Sequence, residues 1–372
     1  LVEKRLSLKH MNSHEDGMKV IRARNVNDAL LLGLDLFQDP RNFRTQESRN
    51  GITYEALEPV TTVYEKPWER VCLLKRRDAN PFFHFIEGLW MLQGRNDLAP
   101  LTHFVNSMED FSDDGETLWG AYGQRWRKYF HKDQLDIITN MLITNPDDRR
   151  CVLQMWDANK DLGREGKDIP CNTNIYFKVR DEALQMTVCC RSNDMLWGAY
   201  GANAVHMSML QEYLAEAIGI EIGMYRQISD SFHVYHNEVW ERMKHLEIDP
   251  LTFRTQTRNP YDVLENPQHV PLITDFKRFR SELEEFFEIL TQSIISDANY
   301  PRLDKFNWVN PAFKDVAIPM VKAFKLHKER DYLNSYREVM NILPTDWMTA
   351  CFDWIRKRDT MWSLTKKEKT HG

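Results

Sequence analysis

Cys171 follows Pro170 and precedes a run of strand-forming residues, NIYFKV (174–179), so the proline fixes how a thiol enters the start of a strand. The thiolate is the nucleophile, and it forms at neutral pH only beside positive charge. Arg191, in CCRSND, lies on the run that a hairpin would return beside Cys171. Arg149 and Arg150, in PDDRRC, precede a further run, and three converging guanidiniums would hold a phosphate. Taken singly, such a cysteine is more often an inert small hydrophobe, and such an arginine a surface residue. Glu87, set in the apolar stretch FIEGLW, reads either as a buried structural carboxylate bonded to backbone or as a tuned acid–base group. His233 and Tyr235, in FHVYHNE, read alone as strand residues; paired with Cys171, His233 would suit a Cys–His hydrolase.

These residues need a sheet to bring them together. CVLQMW (151–156), NIYFKV and LQMTVCC (184–190) read as strands, with the turn RDEA joining the last two. Leu184, Met186 and Val188 alternate with Gln185 and Thr187, the period of a half-buried strand in a mostly antiparallel sheet. Residues 205–218 are apolar on nearly all faces and predict a buried helix stopped at Gly219. From Phe276 onward the apolar residues fall at helical spacing. The aromatic stripe there, including Phe286, Phe287, Trp347, Trp354 and Trp362, reads as core or interface. The predicted class is α+β: a polar leader over 1–17, a catalytic domain over 18–274 with a large mixed sheet and flanking helices, and an α-helical extension over 275–372.

PCNTNIYF, CRSNDMLWGAYGAN and DSFHVYHNE, in that order, resemble the thymidylate synthase superfamily, which includes deoxyuridylate, deoxycytidylate and cytidylate hydroxymethylases. FFHFIEGLWMLQGRND and GAYGQRWR continue the resemblance upstream, so that it runs from about Arg49 to about Ile273. The resemblance implies 5,10-methylenetetrahydrofolate as co-substrate, no metal, and a pyrimidine nucleoside monophosphate as substrate. It implies that Cys171 attacks C6 of the base, that Arg191 and Ser192 bind phosphate, and that Arg149 and Arg150 reach the phosphate from the other subunit of a homodimer. Arg49, in SRNGIT, matches a loop arginine closing over the phosphate. Glu87 matches a glutamate that organises proton transfer, with Trp90 beside it on the cofactor side, and Tyr122 matches a tyrosine acting on the C5 proton. Asp194 matches a carboxylate on the pterin, while His233 and Tyr235 match residues beside the ribose.

The resemblance implies that Asn203 matches the asparagine that reads the N3–O4 edge, and an amide there favours uracil over cytosine. It stands nine positions after Asp194, one more than the common pattern of the family. The chain ends in TKKEKTHG, unlike the short apolar tail with which thymidylate synthases close over folate, and residues 108–111 lack the tryptophan that shields the one-carbon intermediate. Water addition, giving 5-hydroxymethyl-dUMP, is therefore expected ahead of reductive methylation to dTMP, with dCMP or CMP as lesser alternatives. Length and helical extension resemble the larger phage-type deoxyuridylate hydroxymethylases, a setting of DNA hypermodification.

Composition narrows the remaining classes. With 49 basic and 55 acidic residues in 372, a net charge of −6 disfavours a nucleic-acid-coating or scaffolding protein, and no direct nucleic-acid binding is expected. Six cysteines without a CxxC pair suit a reducing compartment, and no apolar run reaches membrane-spanning length. The expected setting is cytoplasmic, the host cytoplasm if the chain is phage-encoded.

Overall fold

Leu184, Met186, Val188 and Cys190 are buried between half-exposed neighbours, and this alternation sits near the middle of an eight-stranded sheet in the computed structural model. The structure describes residues 17–48, 51–244, 259–264, 269–296 and 302–359. The strands are β1 (Lys19–Ala23), β2 (Phe43–Ser48), β3 (Gly51–Ala56), β4 (Val60–Tyr64), β5 (Val152–Gln154), β6 (Asn172–Arg180), β7 (Ala183–Asp194) and β8 (Glu221–Tyr235). Their order is β1-β4-β8-β7-β6-β5, with β3 pairing the far end of β8 and β2 pairing β3. β1–β4 and β7–β8 are parallel and the other pairs antiparallel, which makes the sheet mixed.

The predicted hairpin forms: Ile175 faces Val188 across β6 and β7, and Asp181 and Glu182 turn the chain with φ of 51° and 57°. At the opposite end, β7 and β8 break their alternation in step. Buried Cys190 and Ser229 are followed by exposed Arg191 and Asp230, then by buried Asn193 and Phe232. This matched break re-aims the last residues of both strands.

The helices preceding the C-terminal region are α1 (Val26–Leu36), α2 (Pro81–Leu92), α3 (Ala99–Thr102), α4 (Tyr122–Gln124), α5 (Gln134–Thr144), α6 (Asn203–Ile218) and α7 (Glu238–Met243). α6 begins two residues earlier than its apolar run suggested, which brings Asn203 into the helix, and it ends at Gly219 with φ 84°. α2 packs closely on α6, since a Cβ on Gly88 would lie 2.5 Å from Met209 Sδ. The C-terminal region is helical as expected: α8 (Phe276–Ser296), α9 (Ile318–Lys328), α10 (Tyr332–Val339) and α11 (Thr345–Arg358). Its aromatic stripe is core. Phe286, Phe287, Trp347 and Trp354 are buried, and Phe82 and Phe85 of α2 meet Phe324 and Trp347 at 5.4 and 5.0 Å. Trp362 lies outside the described residues. Among the described residues no helix is long and apolar enough to cross a membrane.

A buried ion pair ties the helical segment at Arg125 to the turn that carries Asp161. Arg125 and Asp161, both fully buried, form a two-pronged pair at 2.6 and 2.9 Å, and Trp119 Nε1 donates to the same carboxylate at 2.8 Å. Asp161→Ala leaves the guanidinium uncompensated and is expected to destabilise the protein by about 3–5 kcal/mol, read by denaturant unfolding. Burial raises the Asp161 carboxyl, but its bonds with Arg125 outweigh this, leaving it below its ordinary range. A depressed folded-state pKa contributes stability above the unfolded-state value, and that stability is lost as pH falls through the folded-state one. The wild-type advantage over Asp161→Ala should therefore shrink toward acid.

Candidate active site

Cys171 stands immediately before β6, where the backbone N–H of Arg191 donates to its carbonyl at 2.9 Å. The Arg191 side chain reaches over the same loop. Its Nε donates to the Pro170 carbonyl at 2.8 Å and Nη2 to the Ile169 carbonyl at 3.0 Å, which leaves Nη2 3.9 Å from Cys171 Sγ. A guanidinium so held stabilises negative charge on the sulfur. The other five thiols are placed oppositely: burial pushes Cys72, Cys189, Cys190 and Cys351 up, and Cys151 to about 11. None of the six cysteines forms a disulfide.

Tyr122 opens α4, and its hydroxyl oxygen accepts the backbone N–H groups of both Cys171 and Asn172 at 3.2 Å. With both lone pairs engaged, the hydroxyl is left as a hydrogen-bond donor. Burial, followed by the adjoining Cys171 thiol, holds the phenol protonated well above its usual range. Gly123 permits this placement, because a Cβ there would lie 2.0 Å from the Met91 carbonyl of α2. α2 carries Glu87, half-buried, with His206 Nε2 of α6 3.2 Å from its Oε2. The two atoms are close without forming an aligned hydrogen bond.

The ends of β7 and β8 run side by side, Ser192 beside Ser231 and Asp194 beside His233. Asp194 accepts the Trp197 and Tyr235 N–H groups, capping the π-helical segment Met195–Ala202, and its burial raises its pKa. His233 Nδ1 lies 3.2 Å from the Ser231 carbonyl, with the Tyr235 ring edge-on at 5.3 Å. The segment kinks at Tyr200 and Gly201, whose backbones are non-helical, and the extra residue between Asp194 and Asn203 is taken up in that kink. Asn203 is buried within a chain of amides. Its Nδ2 donates to Asn193 Oδ1 at 3.1 Å and its Oδ1 accepts from Asn172 Nδ2 at 3.4 Å.

Other expected residues stand apart. Arg150 is exposed and paired with Asp148 at 2.7 Å, and Arg149 is exposed beside it, ahead of β5. Trp90, expected on the cofactor side, is 2% exposed and donates its indole N–H to the Asp97 carbonyl, so it belongs to the core. Arg49 lies outside the described residues.

Sequence reading missed His206, Asn172, Asn193 and Arg77. His206 falls one helical turn after Asn203, a signal visible only once α6 is known to face Glu87. Arg77 is buried, has an unpartnered Nη2, and lies 4.6 Å from the ring of Trp197, which is 52% exposed. Among the described residues no cluster of His, Cys, Asp or Glu could hold a metal ion.

The thymidylate synthase family model matches residues 41–281. A deoxyuridylate hydroxymethyltransferase of Pseudomonas phage M6 is 44% identical over 357 residues, covering 94% of this chain and 97% of the relative. The deoxyuridylate hydroxymethyltransferase of Bacillus phage SP01 is 37% identical over half of each chain (50% and 51%). A putative thymidylate synthase of Methanosarcina mazei is 28% identical over 63% of this chain and 97% of its own length.

Proposed function

Because this chain belongs to the thymidylate synthase family, we propose that it is a one-carbon transferase that hydroxymethylates C5 of dUMP with 5,10-methylenetetrahydrofolate and water. The observation that carries this reading is the Arg191 guanidinium held 3.9 Å from Cys171 Sγ at the mouth of a hairpin, while burial disfavours charge on the other five thiols.

Cys171 adds to C6, and the base becomes an enolate whose C5 is nucleophilic. Glu87, with His206 beside it, moves the proton at O4, and a water held by the Tyr122 hydroxyl, which is left as a donor, accepts the proton that leaves C5. Arg191 and Ser192 take the phosphate, and His233 and Tyr235 flank the ribose. Asn203 reads the base: one of its amide hydrogens remains for O4 beyond the bond to Asn193, which favours uracil. The folate co-substrate supplies the one-carbon unit when bound, and the exposed Trp197 ring, backed by the buried Arg77 and with its N–H held by Asp194, offers a face suited to it.

Two observations favour water over hydride in the last step. Trp119 is committed to the Asp161 clamp and stacks on Arg164 at 3.8 Å, so it does not shield the intermediate. Residues 108–111 carry no tryptophan, and Phe111 there is 44% exposed. Release of tritium to water from C5-tritiated dUMP, dependent on methylenetetrahydrofolate, tests the reading. A Cys–His hydrolase would release none.

The second sheet face, with Val20, Val152 and Tyr176 exposed, supports a homodimer in which Arg149 and Arg150 reach the partner's phosphate site. Replacing both by Ala is expected to raise the KM for dUMP by roughly tenfold or more, the scale of lost charged hydrogen bonds. Mixing that variant with Cys171→Ala should recover activity, because a mixed dimer assembles one intact site. No recovery in mixed dimers would contradict the shared arrangement.

A further inference from the structure

Asp168 lies three residues before Cys171, on the same loop, and is absorbed by none of the roles above. Its Oδ2 accepts the Gly120 N–H at 2.7 Å, two residues before Tyr122. The carboxylate sits against Gly120: a Cβ there would meet Oδ1 at 2.8 Å and Oδ2 at 3.1 Å and would push the carboxylate from this position. Oδ1 has no hydrogen-bond donor from the described residues. Glu87 and Tyr122 both lie within electrostatic reach of the group.

Hydroxymethylation requires a base that thymidylate formation does not. After the one-carbon unit reaches C5, the pyrimidine carries an exocyclic methylene and remains bonded to Cys171 through C6. Water must add to that methylene and lose a proton as the new C–O bond forms. Most other nearby groups are already engaged: Glu87 faces His206, Asp194 accepts two backbone N–H groups, and the Tyr122 oxygen also accepts two.

Resting on the hydroxymethylation reading, we propose that Asp168 is the general base that deprotonates the water adding to the exocyclic methylene, with Oδ1 facing that water while Gly120 holds Oδ2. The water oxygen bonds to the methylene carbon, and the electron pair of the exocyclic double bond moves through C5 into the O4 enolate. The water proton passes to Asp168. Collapse of the enolate restores the C5–C6 double bond and expels the Cys171 thiolate, releasing 5-hydroxymethyl-dUMP without any oxidant or reductant. Burial, the first cause, and then the charges of Asp113 and Glu87 raise the carboxyl above its ordinary range, while the Gly120 N–H and Arg125 draw it down. A carboxylate raised in this way is a stronger base than a solvated one.

Asp168→Asn tests this directly, because an asparagine oxygen still accepts the Gly120 N–H but cannot take a proton. With full-length enzyme, dUMP and methylenetetrahydrofolate, the variant should lose about a hundredfold in 5-hydroxymethyl-dUMP formation. Tritium release from C5-labelled dUMP should fall much less, because it precedes water addition. Added 2-mercaptoethanol should divert the stalled methylene to a thioether product, and Asp168→Glu should recover part of the hydroxymethyl product. Unchanged hydroxymethylation in Asp168→Asn overturns the inference, as does an equal loss of tritium release and product, which marks a structural role. Wild-type enzyme that releases tritium yet yields only dTMP overturns the hydroxymethylation reading itself, a result distinct from failure at Asp168.

Discussion

Cys171→Ala is expected to lower turnover of dUMP by at least about 10⁴-fold, the scale on which a covalent nucleophile acts. Nucleotide affinity should change little, since phosphate and ribose contacts come from other residues. No neighbouring thiol can substitute. Cys190, the nearest in the fold's logic, is buried, donates to Asn172 Oδ1 at 2.7 Å, and is pushed up by burial. Cys171→Ala should also remove tritium release, because C5 loses its proton only after C6 is attacked. Steady-state rates and nucleotide titration separate the two effects, and substantial turnover in this variant would rule out the covalent route.

Glu87→Gln is expected to cost about 10²–10⁴-fold in the rate of product formation, the range of a positioned acid–base group. The change preserves shape and a hydrogen-bonding oxygen, so α2 should keep its packing on α6. It removes the titrating oxygen opposite His206, so proton movement at O4 fails while dUMP still binds. Tritium release and product should fall together, which distinguishes this variant from Asp168→Asn. A loss below about tenfold would place Glu87 among structural carboxylates.

The parts of the fold legible in the sequence are those set by local period. The β6–β7 hairpin follows from alternation around a short turn, α6 from an apolar run closed by Gly219, and the C-terminal helices from their spacing. β8 was less legible beyond His233 and Tyr235. Its residues alternate only weakly, with Gly223 and Asp230 interrupting, and its central place comes from pairing with β7 and with two strands far earlier in the chain, β3 and β4. The kink at Tyr200 and Gly201 was not legible either, since it fits one extra residue between two fixed points, Asp194 and Asn203.

The site divides in the same way. Cys171, Arg191 and Tyr122 stand in short, ordered motifs, and the structure gathers them around one loop. His206 depends on contact between helices far apart in the chain, and the role argued for Asp168 depends on a bare glycine on another loop. Neither leaves a local pattern. Trp90 shows the converse: its place beside Glu87 suggested the cofactor side, yet helical geometry turns it into the core.

Product identification from dUMP and methylenetetrahydrofolate tests hydroxymethylation most directly, with mass spectrometry of the nucleotide and absorbance of the folate read together. Expected is a nucleotide that has gained the elements of formaldehyde, with tetrahydrofolate released and no rise from dihydrofolate. A nucleotide that has gained only a CH₂ unit, with dihydrofolate formed mole for mole, would contradict it.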